Sequence, residues 1–152
     1  MSLMAMLVGE EFPQADMNKV IRMCLIHDMG EAFTGDIPTF WKTKSDEAAE
    51  ENILDEWVQT LPEQIRGEWT ALYAEMNALE TLEAKIYKGL DKLEAIIQHN
   101  ESDISTWLPL EYDLQLTYGT ENVAFSPYMQ ALKERINEDT RKKIAESKIR
   151  TE

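Results

Sequence analysis

The chain has little of several things, and each scarcity narrows what it can be. It has one cysteine, Cys24, so no intramolecular disulfide can form. It has no run of the ~20 apolar residues that a membrane-spanning helix needs and no leader-like N-terminal pattern, so a cytoplasmic protein is expected. It is poor in positive charge: 15 Lys and Arg stand against 29 Asp and Glu, a formal net charge of -14. Duplex nucleic acid and anionic membranes both need a basic surface, so neither is an expected partner. A small phosphorylated ligand stays open, because one bound divalent cation reverses the local field. Histidine is scarce too, with only His27 and His99 in 152 residues.

What is present reads as helix. The chain is 43% hydrophobic, enough for one sizeable core, and its length favours a single domain. Met1, Ser2 and Leu3 before a second methionine look like a cloning scar, and residues 4–12 look like the last turns of a helix broken by Pro13. Asp16 is an N-cap for a nearly all-apolar helix over 17–32, which is expected to be central. Gly35 and Pro38 mark a turn. Ser45 is a cap for a third helix with Ile53, Leu54, Trp57, Val58 and Leu61 in its stripe. Pro62 opens a short fourth helix. The spacing of Leu79, Leu82, Ile86, Leu90, Leu93 and Ile97 predicts a long fifth helix over 78–99. Residues 100–125 look irregular, with one short helix. Ser126 and Pro127 are an N-cap and N1 pair for a last helix, which fades into a charged, solvated tail at 141–152. The fold class is all-α, a bundle of about six helices with its domain over residues 4–140.

The densest chemistry lies in 23–38, "MCLIHDMGEAFTGDIP". On a helix with steps of about 100°, Asp28 sits at about +100° and Glu31 at about +40° from His27. All three then share one face. Taken alone, the doublet admits two readings: a core histidine beside solvated carboxylates, or a mixed imidazole–carboxylate ligand set for a divalent ion. Asp91, in 80–94 "ETLEAKIYKGLDKLE", projects from the edge of the long helix's apolar stripe. By itself it is equally an ordinary carboxylate with Lys88 as its i,i+3 partner. Cys24 reads as a small buried hydrophobe.

Together the two motifs resemble the HD-domain phosphohydrolases, most closely the small bacterial 5′-deoxynucleotidases and their eukaryotic HD-domain relatives, over residues 4–110. The resemblance implies a helical HD-domain bundle and metal ligation by His27, Asp28 and Asp91. It implies that Glu31 orients or activates water, and that Asp36 lies beside the scissile phosphate as the acid. It implies one divalent ion (Mn, Co, Ni, Zn or Mg) and release of phosphate from a nucleoside 5′-monophosphate, a deoxynucleotide in particular. Trp41, close after Asp36, is the aromatic expected near a substrate base.

One part of the family pattern is absent. A further histidine ligand, with a substrate-binding arginine nearby, belongs on the preceding helix, and residues 1–26 contain no histidine. His99, eight residues and about 12 Å of rise beyond Asp91, is too far along to share its ion, and reads as a cation at a helix C-terminus. The first helix is therefore expected to be truncated. A truncated helix uncovers apolar surface, so a homodimer or higher oligomer is expected. The alternative function is a catalytically impaired HD domain that binds a nucleotide or a partner.

Overall fold

The computed structural model describes residues 1–38 and 40–149. Among these no strand occurs, and the helices are α1 (Ser2–Val8), α2 (Met17–Ile26), α3 (Glu31–Thr34), α4 (Lys44–Gln59), α5 (Glu63–Ala78), α6 (Leu82–Glu101), α7 (Glu111–Thr117) and α8 (Pro127–Ile149). Short 3₁₀ turns occupy Gly9–Glu11, Ile104–Thr106 and Glu121–Val123. The all-α expectation holds.

The core is built around α6. Ala84, Ile86, Leu90, Leu93 and Ile96 are all fully buried. They recur at intervals of two to four residues, so they form one stripe. That stripe is covered by α2 through Val20 and Met23, by α8 through Met129, and by α1 and α5. The central position expected for α2 is thus shared with α6, against which it packs directly.

Local signals placed several ends correctly. Asp16 accepts from Lys19 N at 3.1 Å and starts α2. Ser126 Oγ accepts from Met129 N at 3.4 Å, with Pro127 as the first residue of α8. Other boundaries differ. Thr43, not Ser45, caps α4: its hydroxyl accepts from Asp46 N while Asp46 accepts from Thr43 N, a reciprocal capping box with Asp in the third position. The helix after Pro62 is not short but 16 residues long. It ends where Leu79 adopts φ 51°, a left-handed stop without a glycine to announce it, and Thr81 then caps α6. The N-terminal residues 1–3 join the first turn of α1, with Met1 O accepting from Ala5 N at 3.0 Å. The expected tail is α8 itself as far as Ile149; Thr140 is fully buried, and Lys143 Nζ donates to Asn100 O at 2.7 Å. Residues 150–152 of that tail lie outside the described residues.

The expected helix over 17–32 stops at Ile26. From there the amides bond three residues back: Met29 N to Ile26 O at 3.2 Å, Glu31 N to Asp28 O at 3.0 Å, Ala32 N to Met29 O at 3.3 Å. His27 and Gly30 keep right-handed dihedrals, so the chain goes on winding but more tightly. With about three residues per turn, Asp28 and Glu31 eclipse each other, and Glu31 no longer lies near His27 as a continuous α-helix would place it.

α7 is anchored by a buried lysine. Lys133 Nζ on α8 donates to Leu116 O at 3.1 Å and to Asn137 Oδ1 at 3.3 Å, and Asn137 Nδ2 donates to the same carbonyl at 3.2 Å. An ammonium on the last carbonyls of a helix meets the negative end of its dipole. Beyond α7, Gly119 has φ 72°, and a Cβ there would lie 2.6 Å from Lys92 Cβ. Gly119→Ala is therefore expected to lower stability by about 2 kcal/mol, from left-handed strain and the clash together. Urea unfolding with an unchanged m-value checks this.

Candidate metal centre and active-site cleft

The C-terminal end of α2, the tight turn after it and the middle of α6 border an open cleft of about 640 Å³. His27 is the first residue past α2. Its Nδ1 is 3.0 Å from Cys24 O, and a carbonyl only accepts, so Nδ1 carries the hydrogen. That bond turns Nε2 toward the cleft, 2.7 Å from Asp28 Oδ2 and 3.9 Å from Asp91 Oδ1. A histidine fixed at one nitrogen by a backbone carbonyl, with the other facing carboxylates, is the orientation a metal ligand needs. The turn that follows α2 and the middle of α6, far apart in sequence, supply the three donors.

As it stands, the cluster is neutralised by protein cations. Asp91 Oδ2 accepts from Lys88 Nζ at 2.8 Å and lies 3.2 Å from Lys92 Nζ. Among the described residues no group of three His, Cys, Asp or Glu side chains is disposed to hold an ion without rearrangement. The donor chemistry suits a divalent ion, one imidazole with two carboxylates, and three protein ligands leave room for water.

The electrostatics follow from burial set against these charges. Burial disfavours a charged His27, but the hydrogen bond and charge of Asp28, the charge of Asp91 and the Cys24 carbonyl outweigh it, so its pKa is raised. Burial also works against an ionised Asp91, yet Lys88 first and then Lys92 hold its carboxyl below the usual range. Cys24 is buried, and burial pushes its thiol up to about 11, an inert hydrophobe as expected.

Glu31 sits at the other side of the turn. Burial, and then the charges of Asp28 and Asp36, raise its pKa, with Lys42 opposing. Lys42 Nζ lies 3.5 Å from Glu31 Oε1 and 2.5 Å from Glu50 Oε2. The α4 side chain comes so close that a Cβ on residue 30 would meet Glu50 Cγ at 2.5 Å, so Gly30 admits the approach. Asp36 lines the same cleft and is exposed. His27, Asp28, Glu31, Asp36 and Asp91 are thus all brought to one cavity. Trp41 is not: it is 67% exposed, its ring set edge-on against Phe40 at 5.2 Å, and Phe40 rather than Trp41 lines the cleft.

Sequence reasoning missed Lys42, Lys92, His99 and Glu111, all of which line the cleft. Lys92 was adjacent to a suspected ligand, the one signal available. The other three carry no local pattern. Lys88 was expected beside Asp91 and is there. The site can bring ammonium groups to an anionic ligand and hold a carboxylate of raised pKa next to it.

A family model described as the HD domain matches residues 1–133. The 5′-deoxynucleotidase HDDC2 of Dictyostelium discoideum is 35% identical over 97 residues, 62% of this chain and 51% of that protein. The human protein of the same name is 33% identical over 103 residues, 66% of this chain and 50% of its own length. The chain thus spans about half the length of the curated relatives it matches. The crystal structure of a predicted metal-dependent phosphohydrolase from Magnetospirillum magnetotacticum superposes with a TM-score of 0.74 at 26% identity, over 93% of this chain and 74% of that one.

Asp91 has a measurable consequence in metal-free protein. Its depressed pKa contributes stability that is present above the ordinary carboxylate value and is lost as pH falls through the folded one. His27, with its raised pKa, acts oppositely: its contribution is complete below the ordinary imidazole value and is lost as pH rises through the folded one. In the presence of EDTA, Asp91→Asn should cost about 3 kcal/mol at neutral pH, because two ammoniums lose their partner. It should also flatten the acid limb of a stability–pH curve measured by urea unfolding.

Proposed function

The chain belongs to the HD-domain family, and on that premise we propose that it is a metal-dependent phosphohydrolase that releases phosphate from nucleoside 5′-monophosphates, deoxynucleotides in particular. The observation that carries this reading is the convergence of His27 Nε2, Asp28 and Asp91 in one cleft with three lysines and the raised-pKa carboxylate of Glu31. The relatives named as 5′-deoxynucleotidases support the substrate class. The family implies a divalent ion; His27, Asp28 and Asp91 would hold it, and it would supply a Lewis acid at a phosphoryl oxygen. Mn, Co, Ni, Zn and Mg all suit such donors.

The chain's own groups do the remaining work. Lys42, Lys88 and Lys92 attract and orient the phosphate dianion in a molecule whose net charge would otherwise repel it. Glu31 accepts the proton of the attacking water, for which a raised carboxylate pKa is suited. Asp36 gives a proton to the departing 5′ oxygen. A second reading, an HD domain that binds a nucleotide without turnover, is favoured by one observation: Asp91 is already neutralised by Lys88 and Lys92, so that among the described residues no group of three donors is disposed to hold an ion.

Self-association and a cytoplasmic location belong to the same proposal. Leu3, Met6 and Leu7 form one exposed face of α1, and Leu25 of the neighbouring α2 is exposed as well. An uncharged stripe on so acidic a chain suits a second copy of itself. No helix among the described residues is long and apolar enough to cross a membrane.

With Mn²⁺ or Co²⁺ added, the protein should release phosphate from a panel of deoxynucleoside monophosphates. Asp91→Ala should abolish release, and Glu31→Gln should lower kcat by about 10²- to 10⁴-fold. Metal-loaded wild type that binds nucleotide but releases nothing would favour the binding-only reading. Sedimentation should find a dimer or larger species, converted to monomer by the double substitution Leu3→Glu with Leu7→Glu.

A further inference from the structure

The cleft has a second end that the proposed hydrolysis does not use. Beyond Asp91 the same wall of α6 carries His99, eight residues and about 12 Å further along the axis, and α7 supplies Glu111 opposite. His99 Nε2 is buried and has no hydrogen-bond partner. Its nearest carboxylate oxygen, Glu111 Oε2, is 3.6 Å away, too far for a hydrogen bond. Buried polar atoms are nearly always paired, so a lone one asks for a reason.

Looseness is not the reason. The His99 ring lies against Trp107, with centroids 4.4 Å apart and planes inclined at 34°. Trp107 is itself fixed, its Nε1 donating to His99 O at 3.2 Å and to Ser102 Oγ at 3.1 Å. Glu111 Oε2 accepts from Leu108 N at 2.5 Å. The ring and the carboxylate are therefore both held in place on the cleft wall, with one ring nitrogen left over. At the opposite end, Lys42 Nζ lies between Glu31 and Glu50, so the polar atoms there have partners.

We propose that His99 and Glu111 form a nucleobase subsite, hydrogen-bonding the edge of the base while the phosphate lies beside Lys88 and Asp91. This rests on the nucleotide reading above. An imidazole nitrogen donates or accepts according to its tautomer, and a carboxylate accepts from an exocyclic amino group or a ring N–H. Every base carries such donors and acceptors on its edge, so the pair distinguishes a nucleotide from a bare sugar phosphate rather than one base from another. The separation along α6 is comparable to the reach of a nucleoside monophosphate from phosphate to base.

The test is calorimetric titration of the full chain, Mn²⁺-loaded and in a Glu31→Gln background that suppresses turnover, with dAMP, dTMP and deoxyribose 5-phosphate. The deoxynucleotides should bind at least about tenfold more tightly than the sugar phosphate. His99→Ala and Glu111→Gln should each remove most of that difference and leave deoxyribose 5-phosphate binding unchanged. Glu111→Gln keeps an acceptor for Leu108 N, so it carries the test if His99→Ala does not fold, as judged by circular dichroism. Equal binding of nucleotide and sugar phosphate, no binding of either, or discrimination intact in the folded variants overturns the subsite. Phosphate release by the unmutated protein is read separately. Base-dependent binding without release would overturn the hydrolase reading and leave the subsite standing; release without discrimination would do the reverse.

Discussion

The site depends on one approach: the His27 ring at the end of α2 comes within 3.9 Å of Asp91 in the middle of α6. Nothing local enforces it. It follows from packing the apolar face of α2, Val20 and Met23, on the fully buried stripe of α6 that includes Leu90 and Leu93. Leu90 and Leu93 flank Asp91 in sequence, so the residues that bury the helix also fix the height and direction from which the carboxylate enters the cleft. The Cys24 carbonyl then fixes the ring about its own axis. A change in the α2–α6 packing would move His27 and Asp91 relative to each other.

The second constraint is electrostatic. A chain with a formal net charge of -14 places at least five carboxylates around one cavity, and mutual repulsion has to be offset. Lys88 and Lys92 meet Asp91, and Lys42 meets Glu31 and Glu50. The two carboxylates respond differently. Asp91, between two ammoniums, is held ionised; Glu31, half-buried and near the charges of Asp28 and Asp36, is driven toward protonation. Two carboxylates of one cleft are thus biased to opposite protonation states by their neighbours alone.

Elements away from the chemistry set the cleft's far wall. Lys133 and Asn137 of α8 hold the end of α7 by its Leu116 carbonyl, and α7 carries Glu111. Gly119 lets the chain turn against Lys92, whose ammonium then donates to Tyr118 Oη at 2.9 Å. The C-terminal helix is thus part of what shapes the cavity, although none of its described side chains lines it.

By itself the sequence determined the helices whose ends carry side-chain caps, Asp16 before α2 and Ser126 with Pro127 before α8, because capping is settled within four residues. It determined the apolar stripe of α6 and hence that Asp91 stands at its edge, because helical periodicity is local. The His27–Asp28, Glu31 and Asp36 pattern was legible as a contiguous motif that resembles the HD-domain phosphohydrolases, not through helical periodicity, since α2 ends at Ile26. It did not show that α2 would tighten after Ile26, where Gly30 keeps right-handed dihedrals, nor that Leu79 would end α5 in a left-handed conformation with no glycine or proline beside it. It placed Trp41 near a substrate base; the structure lines the cleft with the neighbouring Phe40 and leaves Trp41 exposed. Only the tertiary structure brought Lys42, Lys92, His99 and Glu111 to the cleft. Which side chains meet across it depends on how whole helices are angled and staggered, and that is fixed by packing among residues far apart in the chain.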